Sequence, residues 1–275
     1  MLFLSEHEVD LWFTRPGDCQ DASLQEQYRR LMDEGETQEW LRYRVEKKRH
    51  EHLAARALVR TVLSQYAPIP PEAWRFVRSP TGKPAIDWAQ VKTRLSNIPS
   101  EAADLEFNLS HTDGMILCAV TRGAAVGVDV EDACRPVEFL PLARRFFAPA
   151  EIALLENLPP DQVPHTFYRL WTLKEAYLKA QGAGLTTALE SFSFHWPRGF
   201  SPELPSYTFD PFGTGRLEEI APNAPRLAPF SPVGGDPNHW QFREIFLEGR
   251  FQAALAVARS PECPLRITLR KALPP

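Results

Sequence analysis

Cysteine is scarce in this chain: four in 275 residues, at Cys19, Cys118, Cys134 and Cys263. No two have CxxC spacing, which argues against a structural zinc site or a redox dithiol. Cys118 lies in an apolar run and reads as a core thiol. Sparse, unpatterned cysteines suit a reducing compartment. Glycine is also scarce, at 14 residues, and no Gly-rich phosphate loop is present. No Gly-x-Ser-x-Gly elbow surrounds Ser110, so a serine-hydrolase reading fails. Basic residues are not in excess. The net charge of -4 argues against a general nucleic-acid binder. No apolar run approaches the length that spans a membrane. The start is apolar at Met1-Leu2-Phe3-Leu4, but Glu6, Glu8 and Asp10 follow at once. No secretory signal core fits there, and the expected location is the cytoplasm.

What is present is an ordinary globular composition, 44% hydrophobic and 24% charged, on a chain long enough for one large domain or two smaller ones. Periodicity predicts a strand at 9–14, a helix at 21–33 and one long helix at 39–66, stopped by the prolines of 68–71. A short strand at 74–77 precedes a turn-rich loop at 79–84. Strands at 107–109 and 115–121 flank a loop holding Ser110 and His111. A second series begins with a strand at 125–130. It continues with helices at 138–147, 150–157 and 165–181, the last ended by Gly182 and Gly184. Strands follow at 191–196, 240–247, 251–258 and 265–269. The order strand, helix, long helix, three strands thus occurs twice. It implies an α+β pseudo-dimer of two similar halves, each a small antiparallel sheet packed against a long helix. The expected halves are 1–122 and 123–275. The stretch 197–238 breaks the regularity with nine of the 26 prolines and reads as a surface excursion with little regular structure.

Two segments carry chemistry. On a strand, residues two apart share a face, so Asp129 and Glu131 in Gly127-Val128-Asp129-Val130-Glu131 point the same way. On a helix, residues four apart share a face. In Trp171-Thr172-Leu173-Lys174-Glu175-Ala176-Tyr177-Leu178-Lys179 this puts Phe167, Trp171, Glu175, Leu178 and Lys179 on one stripe. Three carboxylates and nearby lysines suit Mg²⁺ on a pyrophosphate, since hard oxygen ligands leave room for water and phosphate oxygens. Each segment alone has an ordinary reading, as a solvated Asp-x-Glu face and as a surface i,i+4 pair. Lys174 points elsewhere on the helix and reads as a surface lysine. Phe146 and Phe147 read as core, and Asn108 as structural.

Taken together, GVDVE at 127–131 and WTLKEAYLKAQG at 171–182 resemble the paired signatures of the Sfp-type 4'-phosphopantetheinyl transferases. Gly82-Lys83-Pro84 and Phe107-Asn108-Leu109-Ser110-His111 fit the same family. The resemblance implies cleavage of coenzyme A at its pyrophosphate. The 4'-phosphopantetheine arm goes to a serine of an acyl or peptidyl carrier protein, and adenosine 3',5'-bisphosphate leaves. It implies Mg²⁺ on Asp129, Glu131 and Glu175, with Asp129, Glu175 and Lys179 catalytic. Glu175 is also the implied base, directly or through water. Lys83, Ser110 and His111 are the implied coenzyme A phosphate ligands. The family carries a basic residue where this chain has Glu36, Thr37 and Glu39, so the 3'-phosphate falls to the basic region 42–60, with Arg42 and Arg44 as candidates. The alternative reading of that region is a solvated helix face. The expected state is a monomer with the carrier docked between its halves. The rival functions are a Mg²⁺-dependent nucleotide pyrophosphatase and a non-catalytic carrier-binding protein.

Overall fold

The structure, a computed structural model, describes residues 1–95, 98–182, 187–201, 214–217, 223–228 and 236–272. The first half opens with strand β1 (Glu8–Thr14). Helices α1 (Ala22–Leu31), α2 (Glu34–Arg42) and α3 (Glu46–Leu63) follow. A small hairpin, β2 (Phe76–Arg78) and β3 (Pro84–Ile86), leads to α4 (Trp88–Arg94) and the hairpin β4 (Leu105–Thr112) and β5 (Met115–Arg122). The second half opens with β6 (Val126–Asp132). It continues with α5 (Phe139–Phe146), α6 (Pro149–Glu156), α7 (Val163–Gln181) and the short strands β7 (Phe194–His195), β8 (Thr214–Leu217) and β9 (Arg226–Leu227). The hairpin β10 (Gln241–Leu247) and β11 (Phe251–Val257) and a last strand β12 (Arg266–Lys271) complete it.

The duplication is visible in strand order. In the first half the closing hairpin and the opening strand pair antiparallel as β4-β5-β1, and in the second as β10-β11-β6. Strand β12 lies parallel to β1, and β8 pairs antiparallel with β12, so the first sheet gains two strands from the C-terminal region. Arg270 holds Asp10 at 3.0 Å, and the Tyr66 hydroxyl donates to the same carboxylate at 2.5 Å, which fixes β12 against β1.

Alternation along each strand sorts residues between layers. On β5, Ile116, Cys118 and Val120 join Leu58, Val62 and Leu63 of α3 in one core. Leu117 and Ala119 turn the other way and meet Val126, Val128 and Val130 of β6 in a core common to both sheets. The opposite face of the second sheet, with Ala254 and Ala256, packs under Leu173, Ala176 and Tyr177 of α7. Strand β11 is buried throughout because both its faces are covered. Where the halves meet, the Asn108 side chain on β4 accepts a hydrogen bond from the Val128 N–H on β6 at 2.9 Å.

Three expectations need correction. The helix expected at 39–66 is two helices. Asp33 and Glu36 form a capping box that starts α2, and the Arg49 guanidinium takes the Tyr43 carbonyl at 2.7 Å where α2 ends. Ser110 and His111 lie on β4, not in a loop; the turn is Asp113-Gly114, with Gly114 at φ 92°. Most of 197–238 and Gly184 lie outside the described residues, yet the excursion supplies β8 to the first sheet and β9 to a pairing with β7. Its root is held by Arg169, which donates to the Ser201 carbonyl at 2.5 Å while ion-paired with buried Glu244 at 2.6 Å.

Candidate functional site

Helix α7 is buried almost all round. Between Thr166 and Ala180 only Trp171, Glu175 and Lys179 are partly accessible, one line at i, i+4 and i+8. Helix α7 ends cleanly at Gly182, which adopts φ 65°. On β6, valines 126, 128 and 130 fill the shared core, so Gly127, Asp129 and Glu131 face α7. Gly127 is what allows the two elements to touch. A Cβ there would stand 2.0 Å from the Ala176 carbonyl oxygen and 2.4 Å from the Ala180 nitrogen. The sequence signal, a glycine within a strand, marks such close approaches, and its role was missed.

This contact brings Asp129 and Lys179 together. The ammonium lies 2.6 Å from Asp129 Oδ1 and donates to Ser110 Oγ at 2.9 Å. Ser110 Oγ in turn donates to Asp129 Oδ1 at 3.0 Å. Residues from β4, β6 and α7 thus converge across the seam between the halves. Asp129 is only 5% exposed, and its Oδ2 is buried with no hydrogen-bond partner. Burial and the neighbouring Asp129 charge push Glu131 up to about 7, with Lys179 and Arg135 opposing. Burial, then Asp129, also raises Glu175, opposed by Lys179. The three carboxylates therefore lie in one another's field, with Lys179 as the cation common to them. Among the described residues no three carboxylate, histidine or cysteine side chains converge at metal-binding spacing. The donor set nevertheless fits a hard divalent cation: oxygen ligands, an unsatisfied carboxylate oxygen, and two glutamates whose charged forms are disfavoured by burial and by neighbouring carboxylates, a penalty that a bound cation would relieve.

A cavity of about 260 Å³ opens beside this cluster. The β2–β3 turn (Thr81 to Pro84), Asn108 and Leu109 line one side, and Glu175, Leu178, Lys179 and Gly182 the other. The structure therefore brings Lys83, Glu175 and Lys179 to one pocket, with Ser110 and Asp129 behind Lys179. His111, next to Ser110 on β4, is exposed and is not part of the pocket wall, and it lies in the field of Glu51, Lys179, Lys48 and Arg56.

Residues 21–122 match the family model described as 4'-phosphopantetheinyl transferase, N-terminal, and residues 125–220 match that of the 4'-phosphopantetheinyl transferase superfamily. The chain is 34% identical over 184 residues to the 4'-phosphopantetheinyl transferase HetI of Nostoc, which covers 67% of this chain and 73% of that one. This chain belongs to the 4'-phosphopantetheinyl transferase family. It is also 32% identical over 158 residues to the 4'-phosphopantetheinyl transferase Sfp of Bacillus subtilis, covering 57% of this chain and 63% of that protein. The two family matches abut in the turn between β5 and β6.

In this phosphopantetheinyl transferase the basic region 42–60 is mostly engaged within the fold. Buried Arg60 pairs with Glu36 and donates to the Trp74 carbonyl at 2.6 Å. Lys48 meets Glu51 at 2.7 Å, and Lys47 meets Asp113. Glu36 and Glu39 serve Arg60 and Arg78. Arg42 and Arg44 are exposed around the break between α2 and α3, take no ion-pair partner among the described residues, and are not part of the pocket wall.

Lys174 is not a surface lysine. It is fully buried and lies 2.7 Å from Glu151, which is 1% exposed. It also donates to the Leu189 and Phe192 carbonyls at 2.8 and 2.6 Å. Glu151 accepts from the Ala148 and Phe194 N–H groups as well. The adjacent residues Lys174 and Glu175 thus face opposite ways, one locked beneath the helix and one into the pocket. No helix is long and apolar enough among the described residues to cross a membrane.

Proposed function

We propose that this chain transfers the 4'-phosphopantetheine arm of coenzyme A to a serine hydroxyl of an apo acyl or peptidyl carrier protein and releases adenosine 3',5'-bisphosphate. The observation that carries the reading is the convergence of Ser110, Asp129 and Lys179 beside Glu175 on a pocket between the halves. Asp129, Glu131 and Glu175 would hold Mg²⁺, which when bound would neutralise the pyrophosphate and so favour its cleavage. Lys179, part-exposed and able to leave Asp129, meets the charge that develops on the departing phosphate. Ser110, from behind Lys179, and His111 bind phosphate oxygens. Arg42 and Arg44 receive the 3'-phosphate from outside the pocket.

Glu175, which faces the pocket beside Lys179, accepts the proton of the carrier serine directly or through water. The serine oxygen bonds to the phosphorus of the pantetheine arm as the bridging P–O bond to the nucleotide breaks. On this reading residues 1–122 supply coenzyme A contacts and residues 123–275 the metal and catalytic groups. The enzyme acts as a monomer, and in the cytoplasm, whose reducing conditions suit four free thiols.

Release of adenosine 3',5'-bisphosphate from coenzyme A tests this. It should require both Mg²⁺ and an apo carrier. Equal release without a carrier would make the protein a pyrophosphatase.

A further inference from the structure

The β2–β3 hairpin makes more contact with α7 than a pocket wall requires. The Lys83 ammonium donates to two backbone carbonyls of the other half: Ala180 at 3.1 Å, in the last turn of α7, and Val126 at 3.1 Å, at the start of β6. The Thr81 hydroxyl donates to the carbonyl of Gly182, the residue that ends α7. The Lys83 stem also lies against Gly182, 3.6 Å from where a Cβ would be. A helix leaves its last four carbonyls without intrahelical partners, and cationic side chains favour that end. Two of the carbonyls at this terminus are therefore satisfied from the opposite half, by a turn held at Gly82 with φ 92°. Lys83 is half-buried, and burial lowers its pKa, as expected of an ammonium that has exchanged water for carbonyl oxygens.

We infer that Thr81 and Lys83 form a clasp that caps α7 and fixes the spacing between hairpin and helix, making both residues positioning residues for Glu175 and Lys179. The inference rests on the transferase reading for its consequence, but the clasp itself does not. Lys179 is three residues from the clasped Gly182, on the same last turn of α7, so fraying there would loosen its approach to Asp129. In the ligand-free protein Lys83 thus acts on the helix terminus. The threonine separates this role from phosphate binding. A phosphate site draws on the lysine charge, whereas a clasp draws on both side chains alike.

The test compares wild-type protein with Thr81→Val, Lys83→Met and the double variant. Amide hydrogen exchange is followed in the ligand-free proteins over 178–182. Each lost hydrogen bond should speed exchange there by roughly 2- to 10-fold. In steady-state assays with coenzyme A and an apo carrier, both single variants should lower kcat several-fold, and Thr81→Val, which removes no charge, should change the KM for coenzyme A less than about twofold. Because both act on one helix end, the double variant should lose less than the product of the two. Unchanged exchange in both single variants would overturn the clasp. So would a silent Thr81→Val beside a Lys83→Met that raises only the KM for coenzyme A, since Lys83 would then be a phosphate ligand alone. The exchange measurement needs no coenzyme A. It judges the clasp even if the protein proves not to be a transferase, a failure that wild-type turnover would reveal separately.

Discussion

Gly127→Ala tests the contact on which the site is built. The added Cβ would meet the Ala176 oxygen at 2.0 Å and the Ala180 nitrogen and Cα at 2.4 and 2.9 Å, where ordinary contact begins at 3.4 Å. All three atoms are helix backbone, so no side-chain rotation relieves the clash. Helix α7 must withdraw from β6 by about 1.4 Å. Overpacking of this kind costs about 1–3 kcal/mol. For a protein of this size that is a fall in Tm of roughly 2–12 °C. The effect on chemistry should exceed the effect on stability. Lys179 and Glu175 ride on the helix and Asp129 on the strand, and a displacement of about 1 Å can lower turnover about 100-fold. Urea denaturation followed by tryptophan fluorescence gives the stability change, and transfer to an apo carrier gives kcat. A variant within about 0.5 kcal/mol of wild type and with unchanged kcat would refute the claim that this glycine sets the geometry.

Asp129→Ala should lower kcat by about three orders of magnitude yet leave Tm nearly unchanged, because Lys179 is 31% exposed and can turn to water; near-normal turnover at saturating Mg²⁺ would remove Asp129 from the site. Lys174→Met should cost about 3–5 kcal/mol by leaving Glu151 charged and unpaired in the interior, and a loss under about 1 kcal/mol in urea titration would show that the pair is dispensable. His52 gives a pH dependence. Burial and the charges of Arg56, His111 and Arg78 lower its pKa to about 4, against Glu39. The unfolded chain, with a pKa of about 6.5, therefore binds the proton more readily than the folded protein. This contribution is present above pH 6.5 and lost as the pH falls towards 4, about 2 kcal/mol between pH 7 and pH 5. His52→Gln should flatten the stability profile in that window, and an unchanged profile would assign the acid sensitivity to other groups.

Much of the site was legible because its signals are local. Period two on β6 and period four on α7 place Asp129, Glu131, Glu175 and Lys179 without knowledge of the fold. The repeated order of elements likewise reported the strand pattern shared by β4-β5-β1 and β10-β11-β6. What was hidden depends on partners distant in sequence. Lys174 resembles a surface lysine until Glu151 and the carbonyls of Leu189 and Phe192 surround it. The break in the helix expected at 39–66 follows from a capping box at Asp33 and from Arg49 reaching back to Tyr43. Glu36, which departs from the basic residue of the family, is the partner of Arg60, 24 residues further on. The excursion reads as loop from its prolines, but β8 gains its order from β12, a strand some fifty residues away.

The central claim is transfer of phosphopantetheine to a carrier serine, and intact-mass spectrometry of apo carrier proteins reads it most directly. Several apo carriers would be incubated with this protein, coenzyme A and Mg²⁺, beside copies in which the acceptor serine is alanine. The account predicts a gain of one phosphopantetheine group on at least one serine carrier and none on its alanine copy. Carriers that keep their mass while coenzyme A is consumed, or that bind the protein with coenzyme A left intact, would contradict it.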